Sequence, residues 1–210
     1  MNPSHFSPSG QAADTVRPDV RRHPVENVAW FDAVGFCLQL TDLPAERAAG
    51  RVYRLPTEVE WEYACRGGVC RSSFPYGRTI TTRVANFRDN ARQRSSSRRR
   101  HTTPVGSYPP NGFGLHDMVG NIWEWCLDWY SSTSYATHPP VDPPGPPEGE
   151  RATPAAERTT WRRARAVGRP QQLRAGAARQ RPGFRVLCEW GRRRDEPTTR
   201  PGTTGQTRDE

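Results

Sequence analysis

Arg54-Leu-Pro-Thr-Glu-Val-Glu-Trp-Glu-Tyr-Ala-Cys-Arg-Gly-Gly68 carries the clearest local structure in the chain. Thr57 stands before the run and Glu60 three residues later. In this capping-box pattern the Thr57 hydroxyl accepts from the Glu60 amide, and the Glu60 carboxylate accepts from the Thr57 amide. Glu58, Glu60 and Glu62 sit near the positive end of the resulting helix, and Gly67-Gly68 supply its stop. Three carboxylates this close could suggest acid–base chemistry. No His or Lys partners them locally, so capping is the expected role.

Toward the N-terminus, Val25 and Val28 flank Asn27 in a short piece read as extended. Trp30, Ala33, Val34, Cys37 and Leu40 then recur at helical spacing, and Thr41-Asp-Leu-Pro44 closes that second helix. Residues 1–23 read as a polar lead-in. Toward the C-terminus, Pro104-Val-Gly-Ser-Tyr-Pro-Pro-Asn-Gly-Phe-Gly114 is turn chemistry, with Gly112 and Gly114 free to take positive φ. In Asn121-Ile-Trp-Glu-Trp-Cys-Leu-Asp-Trp129, strand alternation puts Trp123, Trp125, Leu127 and Trp129 on one face, expected to be core. Glu124, Cys126 and Asp128 fall on the other. Residues 139–150 are a Pro-rich loop, and Gly183-Phe-Arg-Val-Leu-Cys-Glu-Trp190 reads as one more strand. After Gly191 the polar composition predicts a disordered tail.

The bulk composition sets limits. The chain has 210 residues, of which 33% are hydrophobic, with 21 Pro and 18 Gly, favouring a loop-rich fold over a helical bundle. No apolar run approaches the roughly 18 residues of a membrane span, and the first residues lack the pattern of a secretory signal. The expectations are no membrane partner and, by default, a cytoplasmic monomer. All 31 basic residues are Arg, concentrated in residues 88–101 and 151–182. The first patch has no aromatic and the second only Trp161, and a GC-rich coding sequence accounts for an Arg-only chain, so no nucleic-acid partner is expected. Five Cys (37, 65, 70, 126, 188) show no recurring spacing. Cys65 and Cys70 lack a nearby His to complete a zinc site, and buried free thiols are the default.

Taken together, several blocks resemble the formylglycine-generating enzyme (sulfatase-modifying factor) family. They are His23-Pro-Val-Glu-Asn-Val-Ala-Trp-Phe-Asp-Ala-Val34 with Phe36-Cys37, Arg54 to Gly68, Thr103 to Gly114, Gly120 to Trp129, and Gly183-Phe-Arg-Val186. Asn2-Pro-Ser-His-Phe6 is similar to the segment that precedes the first helix in bacterial members. The resemblance implies one α+β domain over residues 1–190, of the C-type-lectin-like formylglycine-generating-enzyme fold, with much irregular backbone. The family's best-known activity oxidises a Cys in a sulfatase peptide to formylglycine, with copper held by two thiolates.

Against that pattern, the interval 151–182 contains no Cys and no Arg-Gly-Gly-Ser-Trp block; its composition resembles a stretch read out of frame. It is expected to lie outside the core and to leave the Trp strand less covered. Met1 also falls inside the match, so the family's N-terminal strands are expected to be absent. No catalytic residue is therefore assigned, and copper is not supported; Cys65 and Cys70 are the sole alternative pair. The resemblance also implies calcium sites, carried over to Asn86 and Phe87 and to Asn111, Gly112, Gly114 and His116. Oxygen donors on a rigid turn suit calcium, while an ion-free structural turn is equally compatible with these residues. Two functions result: a non-catalytic binding or structural module with a peptide or protein ligand of sulfatase type, or a formylglycine-generating oxidase.

Overall fold

Thr57 caps its helix as its sequence predicts. In the computed structural model, its hydroxyl accepts from the Glu60 amide at 3.3 Å and the Glu60 carboxylate accepts from the Thr57 amide at 2.8 Å. The helix runs Glu58–Arg66 (α3) and ends at Gly67, which takes φ 56°. The structure describes residues 3–4, 20–69, 72–87, 101–129, 145, 152–154 and 182–190. Around α3 lie α1 (Trp30–Asp42), α2 (Pro44–Ala48) and five short strands. These are β1 (Arg51–Arg54), β2 (Glu124–Trp129), β3 (Ala152–Pro154), β4 (Gly183–Phe184) and β5 (Leu187–Trp190).

The strands form two small sheets. β1 pairs antiparallel with β5, and β2 lies between antiparallel β3 and parallel β4. Thr41 closes α1 and ties it to the first sheet, donating to the Cys37 carbonyl at 3.0 Å and accepting from the Tyr53 amide at 2.8 Å. Two apolar clusters meet across β2. One holds Trp61, Cys65, Phe74, Ala85, Met118, Val119 and Cys126 under α3. The other holds Val28, Ala33, Cys37 and Leu55, with Trp125, Leu127, Phe184 and Val186 packed against it.

Four sequence expectations need correction. The Trp face of β2 is the less buried one: Glu124, Cys126 and Asp128 are buried, Trp125 and Leu127 half-buried, and Trp129 exposed. Both faces are covered, and the polar face stays inside because its carboxylates are bonded. Asp128 accepts from the Glu58 amide at 2.8 Å, and Glu124 is bonded as described below. Residues 183–190 are two strands in different sheets rather than one, interrupted at Arg185-Val186. The piece around Asn27 is not simply extended, since Asn27 takes φ 63° and Val25 is exposed. Finally, the interval 151–182 contributes Ala152–Pro154 to the edge of β2, because ladder pairing asks only for backbone groups. With β4 on its other side, β2 is flanked on both edges. Residues 155–181, the tail after residue 190, the loop 139–150 apart from residue 145, and most of both Arg-rich stretches lie outside the described residues.

Gly112 is required for a reason the sequence did not give. Its φ is not positive; instead a Cβ there would stand 2.2 Å from the Gly67 carbonyl oxygen. The turn therefore lies directly on the C-terminal end of α3.

Candidate functional site

Asn111 builds the turn that resembles a calcium site, and its side chain is already spent. Nδ2 donates to the carbonyls of Ala64 and Cys65 at 2.6 and 3.1 Å, and Oδ1 accepts from the amides of Phe113 and Leu115 at 2.9 and 3.1 Å. Gly114 donates to the Asn111 carbonyl at 3.0 Å, and His116 Nδ1 donates to the Tyr108 carbonyl at 2.8 Å. Asn86 sits elsewhere, bridged to Gly120. Its carbonyl accepts from the Asn121 amide at 2.8 Å, and its Nδ2 donates to His101 O and Asn121 Oδ1. Phe87 packs against the α3 cluster. The six residues thus divide between two locations, and the Asn111 side chain is saturated by protein groups.

Two of them, Gly114 and His116, line a cavity of about 280 Å³ whose chemistry comes from Asp117, Asn121, Glu124 and Arg185. β2 presents Glu124 from its inward polar face. Trp61 of α3 donates its indole N–H to Glu124 Oε2 at 2.7 Å, while Arg185 donates from Nε to Oε2 at 3.0 Å and from Nη2 to Oε1 at 2.8 Å. This bidentate pair is largely desolvated, with the Glu124 side chain 9% exposed. Burial opposes the Arg185 charge, but Glu124 and Asp117 together outweigh it and hold its pKa above the usual value.

Asp117 is the unsatisfied member. Its Oδ2 accepts from the Gly106 amide at 2.7 Å, but its buried Oδ1 has no partner. Its φ is 56°, and Asn121 and Gly120 nearby are at 65° and 84°. Left-handed backbone at non-Gly residues is costly and tends to gather at functional sites. Asn121 is fixed by Thr103, whose amide donates to Asn121 Oδ1 at 2.9 Å and whose carbonyl accepts from Nδ2 at 3.1 Å. No group of three or more His, Cys, Asp or Glu gathers among the described residues. Glu124 is already bonded by Trp61 and Arg185, so the two carboxylates of this cavity do not make up the roughly six to eight oxygen ligands that calcium takes. The reading of the sequence passed over Asp117, Asn121 and Arg185 as site residues. The available signals were Glu124 on the polar face of a buried strand and an Arg inside the Gly-Phe-Arg-Val segment.

Thiols offer a different picture. Cys37, Cys65 and Cys126 are buried, and Cys188 is exposed on β5. Burial pushes the Cys65 thiol up to about 12 and raises Cys37 and Cys126 as well. Cys65 also donates to the Met118 carbonyl at 3.2 Å. Cys37, Cys65 and Cys126 are thus packed thiols whose protonated form burial favours. Cys70 lies outside the described residues. No helix among the described residues is long and apolar enough to cross a membrane.

The profile of the sulfatase-modifying factor enzyme 1-like domain matches residues 3–190. A formylglycine-generating enzyme of Streptomyces coelicolor is 42% identical over 150 residues, covering 68% of this chain and 43% of that protein. A protein of Chlamydia pneumoniae described as serine/threonine-protein kinase pkn1 is 39% identical over 136 residues, covering 64% of this chain and 19% of that one. The chain therefore spans less than half the length of these curated relatives. Among solved structures, PvdO from Pseudomonas aeruginosa superposes with a TM-score of 0.52 at 26% identity, covering 80% of this chain and 62% of that one. The α+β architecture is that of the formylglycine-generating-enzyme fold, and the chain belongs to the sulfatase-modifying factor family.

Proposed function

We propose that this chain is a non-catalytic member of its family, a binding or structural module. The thiol inventory carries this reading. Copper of the sulfatase-modifying type needs two adjacent thiolates, whereas residues 151–182 contain no Cys and the three buried thiols have pKa values raised by burial. These residues do not fit copper, and no oxidation step is derived through it. That a relative described as a protein kinase contains a region 39% identical to this chain agrees with the domain serving more than one kind of protein.

Calcium, when bound, supplies positive charge and oxygen coordination rather than bond-making chemistry. The residues that would hold it are Asn86 and Phe87 at one location and Asn111, Gly112, Gly114 and His116 at the other, through backbone carbonyls where the Asn111 side chain is already bonded. The partner proposed is a peptide or protein segment of sulfatase type, and the chain is read as a monomer that needs neither nucleic acid nor a membrane.

A second reading has one specific support, the 42% identity to a protein described as a formylglycine-generating enzyme. It makes this chain an oxidase of sulfatase cysteines. Incubation of the copper-treated chain with a Cys-containing sulfatase peptide, followed by aldehyde-specific labelling, separates the two. An unchanged peptide Cys is expected; conversion to the aldehyde selects the oxidase.

A further inference from the structure

We propose that the outer edge of β5 is the docking site of an extended peptide, which adds to it as an antiparallel strand. The peptide carries a basic residue opposite Glu189, between apolar residues opposite Cys188 and Trp190. This inference rests on the reading of the chain as a binding module for a peptide or protein segment, and gives that segment a place and a side-chain pattern.

β1 and β5 form a ribbon in which each strand has one edge turned away from its partner. On β1 that edge is closed, because the Tyr53 amide donates to the Thr41 hydroxyl of α1 at 2.8 Å. The same bond fixes the ladder. Since the Tyr53 amide points away from β5, Tyr53 and its register partner Cys188 form a non-hydrogen-bonded pair. Arg51 with Trp190 is another, and the inward bonds belong to Val52 with Glu189 and to Arg54 with Leu187. The amides and carbonyls of Cys188 and Trp190 therefore point outward from β5. No described strand pairs with that edge, and Cys188, Glu189 and Trp190 are all exposed. Such an edge is a template for one more strand.

Side chains set which strand fits. Glu189 Oε1 accepts from Arg54 Nε at 2.5 Å, while the rest of the Arg54 fork is spent on Glu60 and the Leu55 carbonyl. One guanidinium thus faces two carboxylates, and the Glu189 side chain is 50% exposed. The surplus negative charge lies beside the open edge and suits a Lys or Arg. In an antiparallel addition the residue opposite Glu189 forms a non-hydrogen-bonded pair, where side chains come closest. Cys188 and Trp190 project from the other face by alternation. Trp190 is 77% exposed, and apolar residues opposite it and Cys188 cover the ring. Backbone bonds at Cys188 and Trp190 give affinity, and the three side chains give selectivity.

The test is fluorescence anisotropy of the full chain with a labelled strand probe, Ser-Thr-Val-Arg-Val-Thr-Ser. Compared with it are the same peptide N-methylated at both Val residues and a Cys-containing sulfatase peptide. Cys188→Pro removes an outward donor without touching the bonds to β1. The strand probe is expected to bind wild type saturably. The N-methylated probe, and Cys188→Pro with the plain probe, should show no saturation up to about 1 mM. Glu189→Gln and Trp190→Ala should each weaken binding about two- to fivefold, the effect of one cross-strand pair. Near-UV circular dichroism reports folding, and if Cys188→Pro loses the native signal the N-methylated probe decides.

Equal binding of the plain and N-methylated probes, or of wild type and folded Cys188→Pro, overturns the edge as the docking site. So does a chain that ignores the strand probe yet binds the sulfatase peptide equally in wild type and Cys188→Pro; the module reading then stands. Unchanged affinity in both Glu189→Gln and Trp190→Ala overturns the side-chain pattern. Sedimentation showing wild type self-associated and Cys188→Pro monomeric gives the edge to a second copy and overturns the peptide. Absence of binding of either peptide to folded wild type overturns the module reading and this inference together.

Discussion

Replacing Arg185 by Met strands the Glu124 carboxylate inside the protein. Breaking a buried ion pair by removing one partner costs about 3–5 kcal/mol. Here the Trp61 indole bond remains and the Arg185 side chain is 29% exposed, so part of the pair is already hydrated. The expected loss is about 2–3 kcal/mol. For a chain of this size each kcal/mol moves the midpoint by about 2–4 °C, which places the thermal shift at roughly 5–10 °C. Glu124→Gln should cost less, about 1–2 kcal/mol, because the guanidinium it frees can reach water. The double variant removes both charges, and its loss should fall short of the summed single losses by about 1–2 kcal/mol. The assay is thermal and urea denaturation followed by circular dichroism. Additive losses, within about 0.3 kcal/mol, would show that the two side chains do not act as a pair and would undo the account of the cavity.

Other consequences are local. Thr57→Ala should lose about 1 kcal/mol and Thr57→Ser much less, read from denaturation midpoints; an unchanged midpoint in Thr57→Ala removes the capping box from the energetics. Asn111→Ala should lower the melting temperature equally with and without calcium, since its side chain bonds the protein; a loss seen only with calcium would return the ion to that turn. Cys37, Cys65 and Cys126 should resist iodoacetamide in the folded chain and react after denaturation, as peptide mapping would report. Glu46, bonded to Arg51 and Tyr53, has its pKa lowered from 4.5 to about 2. A carboxylate lowered in the folded state stabilises it above the unfolded pKa and loses that contribution as pH falls through the folded one. Glu46→Gln should therefore flatten the decline in stability between pH 4.5 and about 2, and an identical acid profile in the variant would count against the cluster.

The elements legible in the sequence were those specified by neighbouring residues. The capping box needs only Thr57 and Glu60, and α1 needs only its apolar spacing. Both formed where the residues placed them. What escaped were features set by partners far along the chain. The buried polar face of β2 depends on Arg185, 61 residues away from Glu124, and on Asp128 reaching the Glu58 amide 70 residues away. Alternation alone assigns such a strand's apolar face to the core. Likewise Gly112 was recognised as a turn residue, yet its requirement comes from the Gly67 carbonyl pressed against it. The cavity was hidden for the same reason, because Asp117, Asn121, Glu124 and Arg185 come together only through the β2–β4 pairing and the turns on either side.

Titration of the reduced chain with Cu(I), against a competing chelator of known affinity, tests the central claim most directly. On the non-catalytic reading the chain should leave the copper with the chelator, and the cysteines should show no Cu(I)–thiolate absorption. One equivalent of Cu(I) held in competition, and lost on replacing two of its cysteines by Ala, would contradict the account and identify a copper site.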